Sequence, residues 1–388
     1  GKFSAVTPGY GDMSAVKPES PDLTHLKYET ITSNNIGVDV GLFSDRITFA
    51  VELYTKVTDD MLQKKIKVPS STGLSTVAWY NSGKMENRGW EFNIDVAAVR
   101  TKDWGLNFGF NISQNKNKVL ELPENQSDET YTFGNKKYAY RVLMGDPLGS
   151  FYGYRYKGVY QNVEETYAVD KTGQQIMDIN GAPVVVKNGD QKVYPGDAKY
   201  EDVNGDGVID ENDIVYLGNS NPTLTGGLNF TLRYKKLSLV AALHGRAGQK
   251  VINESRINME NMYGKNNQSV AVLRRWRSEG DNTDIPRALY DKGYNYLGSD
   301  RFVEDASFLR LKTITLKYQF PENWMKPLGI NKLEIYATGY DLFVWTKYTG
   351  QDPEINLKNP DGSAAQVAID SNNTPKAMRF AFGLNLRF

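Results

Sequence analysis

In Trp90-Glu-Phe-Asn-Ile-Asp-Val96, large apolar residues alternate with polar ones. After the short link Arg100-Thr-Lys-Asp103 the scheme returns in Trp104-Gly-Leu-Asn-Phe-Gly-Phe-Asn-Ile-Ser113. Trp104, Leu106, Phe108, Phe110 and Ile112 share one parity; Gly105, Asn107, Gly109, Asn111 and Ser113 share the other. A period of two places these sets on opposite faces of a strand, whereas a helix repeats its apolar residues at three and four. Two such runs joined by a short link read as an antiparallel hairpin with one apolar and one polar face.

The same pattern recurs on both sides. Gly1 to Ser20 reads as loop, being rich in Gly, Pro and Ser. Upstream of Trp90, Ile36, Val38, Val40 and Leu42 are followed by Phe43-Ser-Asp-Arg46 and then by Ile47, Phe49, Val51 and Leu53. Thr58 to Asn87, with Pro69-Ser-Ser-Thr-Gly73, is a long polar connection. Downstream, Leu228, Phe230, Leu232 and Tyr234 turn through Lys235-Lys236 into Leu237, Leu239, Ala241 and Leu243. Ile314, Leu316, Tyr318 and Phe320 lead through Pro321 to Asn331 into Leu333, Ile335 and Ala337. Met378, Phe380, Phe382, Leu384, Leu386 and Phe388 close the chain. The links alternate short and long throughout, with long ones at Gln114–Pro222, Gly245–Ala306 and Val344–Pro375. Tight turns at one end and long loops at the other are the habit of outer-membrane barrels, and strands of about 10 residues suffice to cross a bilayer when tilted. A large soluble sheet with one buried face gives the same alternation. Aromatic residues near strand ends (Trp90, Trp104, Tyr234, Tyr318, Phe320, Phe388) favour the membrane reading as girdle residues. The fold class expected is therefore all-β: an antiparallel transmembrane β-barrel with long extracellular loops. The strands number about nine, and bacterial single-chain barrels have even numbers, so residues 1–388 read as part of a barrel.

Composition agrees. Lys plus Arg and Asp plus Glu are 46 each, so no charge excess points to nucleic acid. The absence of cysteine excludes a disulfide framework and thiol chemistry. No apolar run approaches the roughly 18 to 20 residues of a membrane helix, which leaves a β-barrel open. With no initiator Met or signal peptide at Gly1, the chain reads as a mature or partial product.

One segment stands apart. Asp202-Val-Asn-Gly-Asp-Gly-Val-Ile-Asp-Glu-Asn-Asp213 has the spacing of an EF-hand-type calcium loop. A hard cation needs several oxygens converging from a tightly curled backbone. The candidate ligands are Asp202, Asn204, Asp206, Val208 through its carbonyl, Asp210 and Asp213, with Gly207 at the turn. Asp213 stands where a long Glu is usual, and Pro195-Gly196 stands where a flanking helix would be. The loop is closer to a lone dockerin-type loop, and without a metal it is an Asp/Asn/Gly-rich turn. Calcium there would be structural.

Enzymatic signatures are missing. His25 and His244 are far apart, there is no P-loop and no G-x-G-x-x-G, and no carboxylate pair stands out. No catalytic residue is assigned and the chain is not expected to be an enzyme. The polar-face residues Asp39, Glu52, Glu91, Asp95, Arg233, Arg379 and Arg387 read as solvated or mutually paired. Leu273-Arg-Arg-Trp-Arg277 reads as a short basic helix with a solvated face, contact with anionic lipid or ligand being the sharper alternative.

Several stretches resemble the SusC/RagA-like TonB-dependent transporters of Bacteroidetes. They are Asn81-Ser-Gly-Lys-Met-Glu-Asn-Arg-Gly89, Gly145-Asp-Pro-Leu-Gly-Ser-Phe-Tyr-Gly-Tyr154 with Lys157-Gly-Val-Tyr-Gln161, the run Gly196 to Asp210, and Leu217-Gly-Asn-Ser-Asn-Pro222. Val303-Glu-Asp-Ala-Ser-Phe-Leu-Arg-Leu311, Tyr348-Thr-Gly-Gln-Asp-Pro-Glu354 and the terminal Phe388 complete the series. The resemblance implies the C-terminal part of a 22-stranded plugged barrel. It implies residues 114–223 as a long extracellular connection carrying the 202–213 loop, and a plug domain outside these residues. It also implies TonB-driven import of oligosaccharide or peptide across the cell outer membrane, with a SusD-like lipoprotein, the remainder of the transporter and outer-membrane lipid as partners, and TonB reached through the part not present. The competing expectation is a secreted β-rich protein that binds or degrades glycans and carries a dockerin-like calcium loop.

Overall fold

The structure is a computed structural model that describes residues 2–6, 15–20, 26–67, 71, 76–122, 131–132, 138–140, 142–358 and 366–388. Nine strands form one antiparallel sheet. They are β1 (Thr30–Leu42), β2 (Ile47–Asp59), β3 (Lys84–Arg100), β4 (Trp104–Glu121), β5 (Leu224–Tyr234), β6 (Leu237–Ala247), β7 (Phe308–Gln319), β8 (Lys332–Thr346) and β9 (Arg379–Arg387). Their order in space is their order in sequence, a pure meander with β1 and β9 at its edges. All four tight links lie at one end. The longest of them carries a helical turn at Glu322–Met325 and a 3-10 turn at Lys326–Leu328.

The register lines up the apolar parity across the whole sheet. One row runs Leu42, Ile47, Val96, Phe108, Phe230, Ala241, Ile314, Gly339 and Phe380. This face is not covered: Val38 is 58% exposed, Leu53 53%, Leu316 48% and Phe382 80%. A soluble protein does not leave so broad an apolar face in water, whereas a strand facing hydrocarbon requires it. No helix among the described residues is long and apolar enough to cross a membrane. The aromatic residues mark both ends of the band. At the tight-turn end Trp104 packs on Tyr234 at 4.3 Å between ring centroids and Tyr318 on Phe320 at 5.1 Å. At the far end Phe343 stacks on Trp345 at 6.1 Å.

Several bounds differ from the sequence reading. β3 and β4 reach Lys84 and Glu121, so Gln114–Glu121 belong to the sheet and the long connection begins after them. Lys2–Val6 pairs with Ala15–Ser20 where loop was expected. The basic helix is a 3-10 turn at Val270–Arg274, slightly earlier than read. His25 and most of Pro69–Gly73 lie outside the described residues.

The buried core sits in the connections, not in the sheet. One cluster gathers Phe151, Ile252, Ile257, Phe302, Val367 and Ile369 from three connections. A second gathers Tyr154, Tyr160, Ala168, Val186, Ile209 and Leu297, and a third Val251, Ala306, Tyr348, Ile355 and Ala368. These loops therefore fold into a packed cap at the end of the strands opposite the tight turns.

The two faces should respond oppositely to charge. Phe110→Arg on the apolar face is expected to lower stability in lipid vesicles by about 2–4 kcal/mol, and Asn111→Arg on the polar face by under about 1 kcal/mol. Urea unfolding followed by tryptophan fluorescence measures both, and equal losses would refute the assignment of faces.

Candidate functional site

The polar face offers the first candidate surface. Gly37, Gly41, Gly105 and Gly109 leave it low in relief; a Cβ at Gly109 would lie 2.5 Å from the Asp95 carboxylate. The charges picked out from the sequence are divided along it. Asp39, Glu52, Glu91 and Asp95 lie on β1–β3, and Glu52 and Glu91 are direct cross-strand partners. Arg233, Arg246, Lys317, Arg379 and Arg387 lie on β5–β9. Of the seven charged residues picked out from the sequence, the acids and the bases sit on separate strands, which favours solvation or neutral partners over pairing with one another. Glu52 instead accepts from Asn35 Nδ2. Arg233 donates to the Thr101 and Lys102 carbonyls at 3.2 and 3.5 Å, and Arg379 lies over the Tyr340 ring at 5.4 Å. His244 meets Phe308 edge to face at 5.9 Å and lies opposite Arg310 across the ladder.

The Asp202–Asp213 loop folds inside the second cap cluster. Its curl follows the spacing: Gly205 and Gly207 have φ of +68° and +82°, and a Cβ on Gly207 would lie 2.9 Å from Ala168 Cβ. Asp202 accepts from the backbone N–H of Gly205 and Gly207 at 2.7 Å each. Asn204 Oδ1 accepts from Asp206 N, and Asp206 Oδ1 from Val208 N at 2.8 Å. Asp210 caps the 3-10 turn Glu211–Asp213 by accepting from Asn212 N. Asp213 is wholly buried; it accepts from Val203 N at 2.7 Å and from Asp210 N at 2.9 Å. Burial pushes its carboxyl up, and the backbone donors from Asp210, Val203 and Asn204 offset part of that. The side-chain oxygens thus face the loop's own amides. Among the described residues no group of three or more His, Asp or Glu side chains is drawn together closely enough to hold a metal ion. The donor set and curl suit a hard cation, but the carboxylates would have to turn inward to ligate one.

A third feature escaped the sequence reading. Lys312 on β7 and Asp341 on β8 both stand at interruptions of the register, facing bulges that re-aim their side chains. Asp341 takes a left-handed φ of +52°. Around them Arg310, 2% exposed, binds Asp352 at 2.5 Å, and its Nε faces Glu354 Oε2 at 3.3 Å without the alignment of a hydrogen bond. Glu354 also receives Lys312 at 2.8 Å and Lys376 at 2.6 Å. Burial pushes the Glu354 carboxyl up, but its two lysines outweigh this and hold it at about 2. The missed signal was a change of parity: Leu309 and Leu311 share the apolar face with Ile314 and Leu316, so one residue must be extra.

Comparison with known proteins followed the same lines. The family model described as TonB dependent receptor-like, beta-barrel, matches residues 4–188. TonB-dependent receptor P3 of Formosa agariphila is 30% identical over 100% of this chain and 37% of its own length. Receptor P26 of the same organism is 32% identical over 96% of this chain and 36% of its own length. TonB-dependent receptor SusC of Bacteroides thetaiotaomicron is 28% identical over 94% of this chain and 32% of its own length. The chain therefore spans about a third of the length of these curated relatives. A structure of the RagAB peptide transporter superposes on 99% of this chain and 38% of that one, with a TM-score of 0.73 at 23% identity, a likeness of fold. The chain is similar over nearly its whole length to part of these TonB-dependent receptors, SusC among them, and has the fold of part of such a barrel.

Two outcomes follow. Asp213→Ala strands buried backbone donors and is expected to cost on the order of 2–4 kcal/mol, against under about 1 kcal/mol for exposed Asp206→Ala, in urea unfolding. Glu354 has a folded value of about 2, below its ordinary 4.5. Its contribution is complete above pH 4.5 and fades as pH falls toward 2. A melting profile across that window should flatten in Glu354→Gln; an unchanged slope would contradict the ionic assignment.

Proposed function

We propose that this chain forms part of the wall and extracellular cap of a TonB-dependent importer in the outer membrane of a Gram-negative, Bacteroidetes-like cell. The observation that carries the reading is the bare apolar face of a nine-stranded meander whose folded connections all lie at one end. In hydrocarbon a sheet cannot keep open edges, so β1 and β9 pair with further strands of the transporter. A secreted glycan-binding or glycan-degrading protein would have to cover the band with other elements of its own. The cargo class is oligosaccharide or peptide, the plug and the TonB contact belong to the rest of the transporter, and a SusD-like surface lipoprotein joins it at the cap. Homology to SusC and the RagAB-like fold support this.

Calcium in the cap is a narrower part of the proposal. Asp202, Asn204, Asp206, the Val208 carbonyl, Asp210 and Asp213 would hold it, and its role would be to stiffen the loop. Calorimetric titration of the chelator-treated protein with calcium should show saturable binding that Asp202→Ala with Asp206→Ala abolishes. No heat of binding would end the calcium reading and leave import untouched.

Import is tested in the cell. The chain should fractionate with the outer membrane, need detergent for extraction and bring down a lipoprotein encoded beside it. Deleting its gene should abolish growth on one oligosaccharide or peptide source. A chain recovered as a soluble monomer without detergent would overturn the reading.

A further inference from the structure

Two motifs remain without a role in import: Val303–Leu311 and Tyr348–Glu354. The structure joins them. Arg310 and Lys312 of the first motif's strand bind Asp352 and Glu354 of the second. Lys376 closes the group from the return of the same connection, with Nζ on Glu354 and its backbone N–H donating to Asp352 Oδ2 at 3.2 Å. Asp341 adds a third acid, 3.7 Å from Lys312 Nζ. Three cations thus face three carboxylates, and Arg310 and Asp352 are buried.

The Asp352-Pro-Glu354 turn is also tied to the other connections. Gln249 Nε2 donates to the Pro353 carbonyl at 3.2 Å and to that of Ala306 at 2.8 Å, which binds the 248–307 connection at both ends. Glu304 accepts from Thr349 N at 2.9 Å and from Asn253 Nδ2 at 3.1 Å. Ser220 Oγ accepts from Ala368 N at 2.7 Å, which brings in the 122–223 connection. Val251, Ala306, Tyr348, Ile355 and Ala368 pack together beneath these bonds.

We propose that Arg310 and Lys312 clamp the Asp352-Pro353-Glu354 turn to the polar face of β7 and β8, so that the three long connections and this part of the wall move as one body. A balanced charge cluster built round the buried Arg310–Asp352 pair suits that task. Removing Arg310 or Asp352 leaves the other as an uncompensated buried charge, and the geometry the pair enforces is narrow. Two facing bulges place Lys312 and Asp341 where a regular ladder would not. The Asp352-Pro353-Glu354 turn is then a fixed post at the barrel mouth, not part of a lid.

The test is amide hydrogen exchange on the complete barrel in detergent, which does not depend on the import reading. Arg310→Gln should raise exchange together at 249–253, 303–306, 348–355 and 367–370 by roughly 100-fold or more, with the second cap cluster protected as before. If Arg310→Gln does not assemble, Lys376→Met, nearer solvent, should give the same pattern at smaller size. The charge swap Lys312→Glu with Glu354→Lys should restore protection that Lys312→Glu alone removes. Exchange confined to 352–354, or raised equally across the whole chain, would overturn the clamp.

Discussion

The structure depends on one constraint: a backbone that faces hydrocarbon must satisfy every N–H and C=O within the protein. A meander meets it strand by strand, since each of the nine strands pairs with its sequence neighbour over nearly its full length. The side chains then separate by parity alone. One face becomes an apolar band closed by aromatic residues at each end, and the other becomes a wall of Asn, Gly, Thr and charge. Neither face packs a core, so tertiary packing has to come from somewhere else.

It comes from the connections. Phe151, Ile252, Phe302, Val367 and Ile369 are almost completely buried although all lie outside the nine strands. The cap is held to itself by apolar clusters and to the wall by charge, at Arg310 and Lys312. The sheet supplies a rigid rim and the cap supplies shape.

The nine strands were legible because lipid on one side enforces a strict period of two over each crossing. The strand ends were not. Asn115, Lys116, Asn117 and Lys118 stay in the ladder of β4, but both parities there are polar, so alternation vanishes while pairing persists. The cap's packing was hidden for a different reason: its clusters join residues from separate connections, and no local pattern announces such contacts. The loop at Asp202–Asp213 was legible as a curl. Asp213 stands where a long Glu is usual, yet it is the buried acid that organises the loop. The clamp left one trace, the shift from Leu309 and Leu311 to Ile314 and Leu316 on a single face.

The most direct test of the central claim, that the apolar parity faces lipid, uses the absence of cysteine. Single cysteines at successive positions from Leu106 to Ile112 on β4, spin-labelled in the barrel reconstituted in lipid, give accessibility to oxygen and to a water-soluble relaxant. Labels at 106, 108, 110 and 112 should meet oxygen and exclude the polar agent, with the reverse at 107, 109 and 111. Uniform accessibility to the polar agent along the strand, or the opposite phase, would contradict a transmembrane wall.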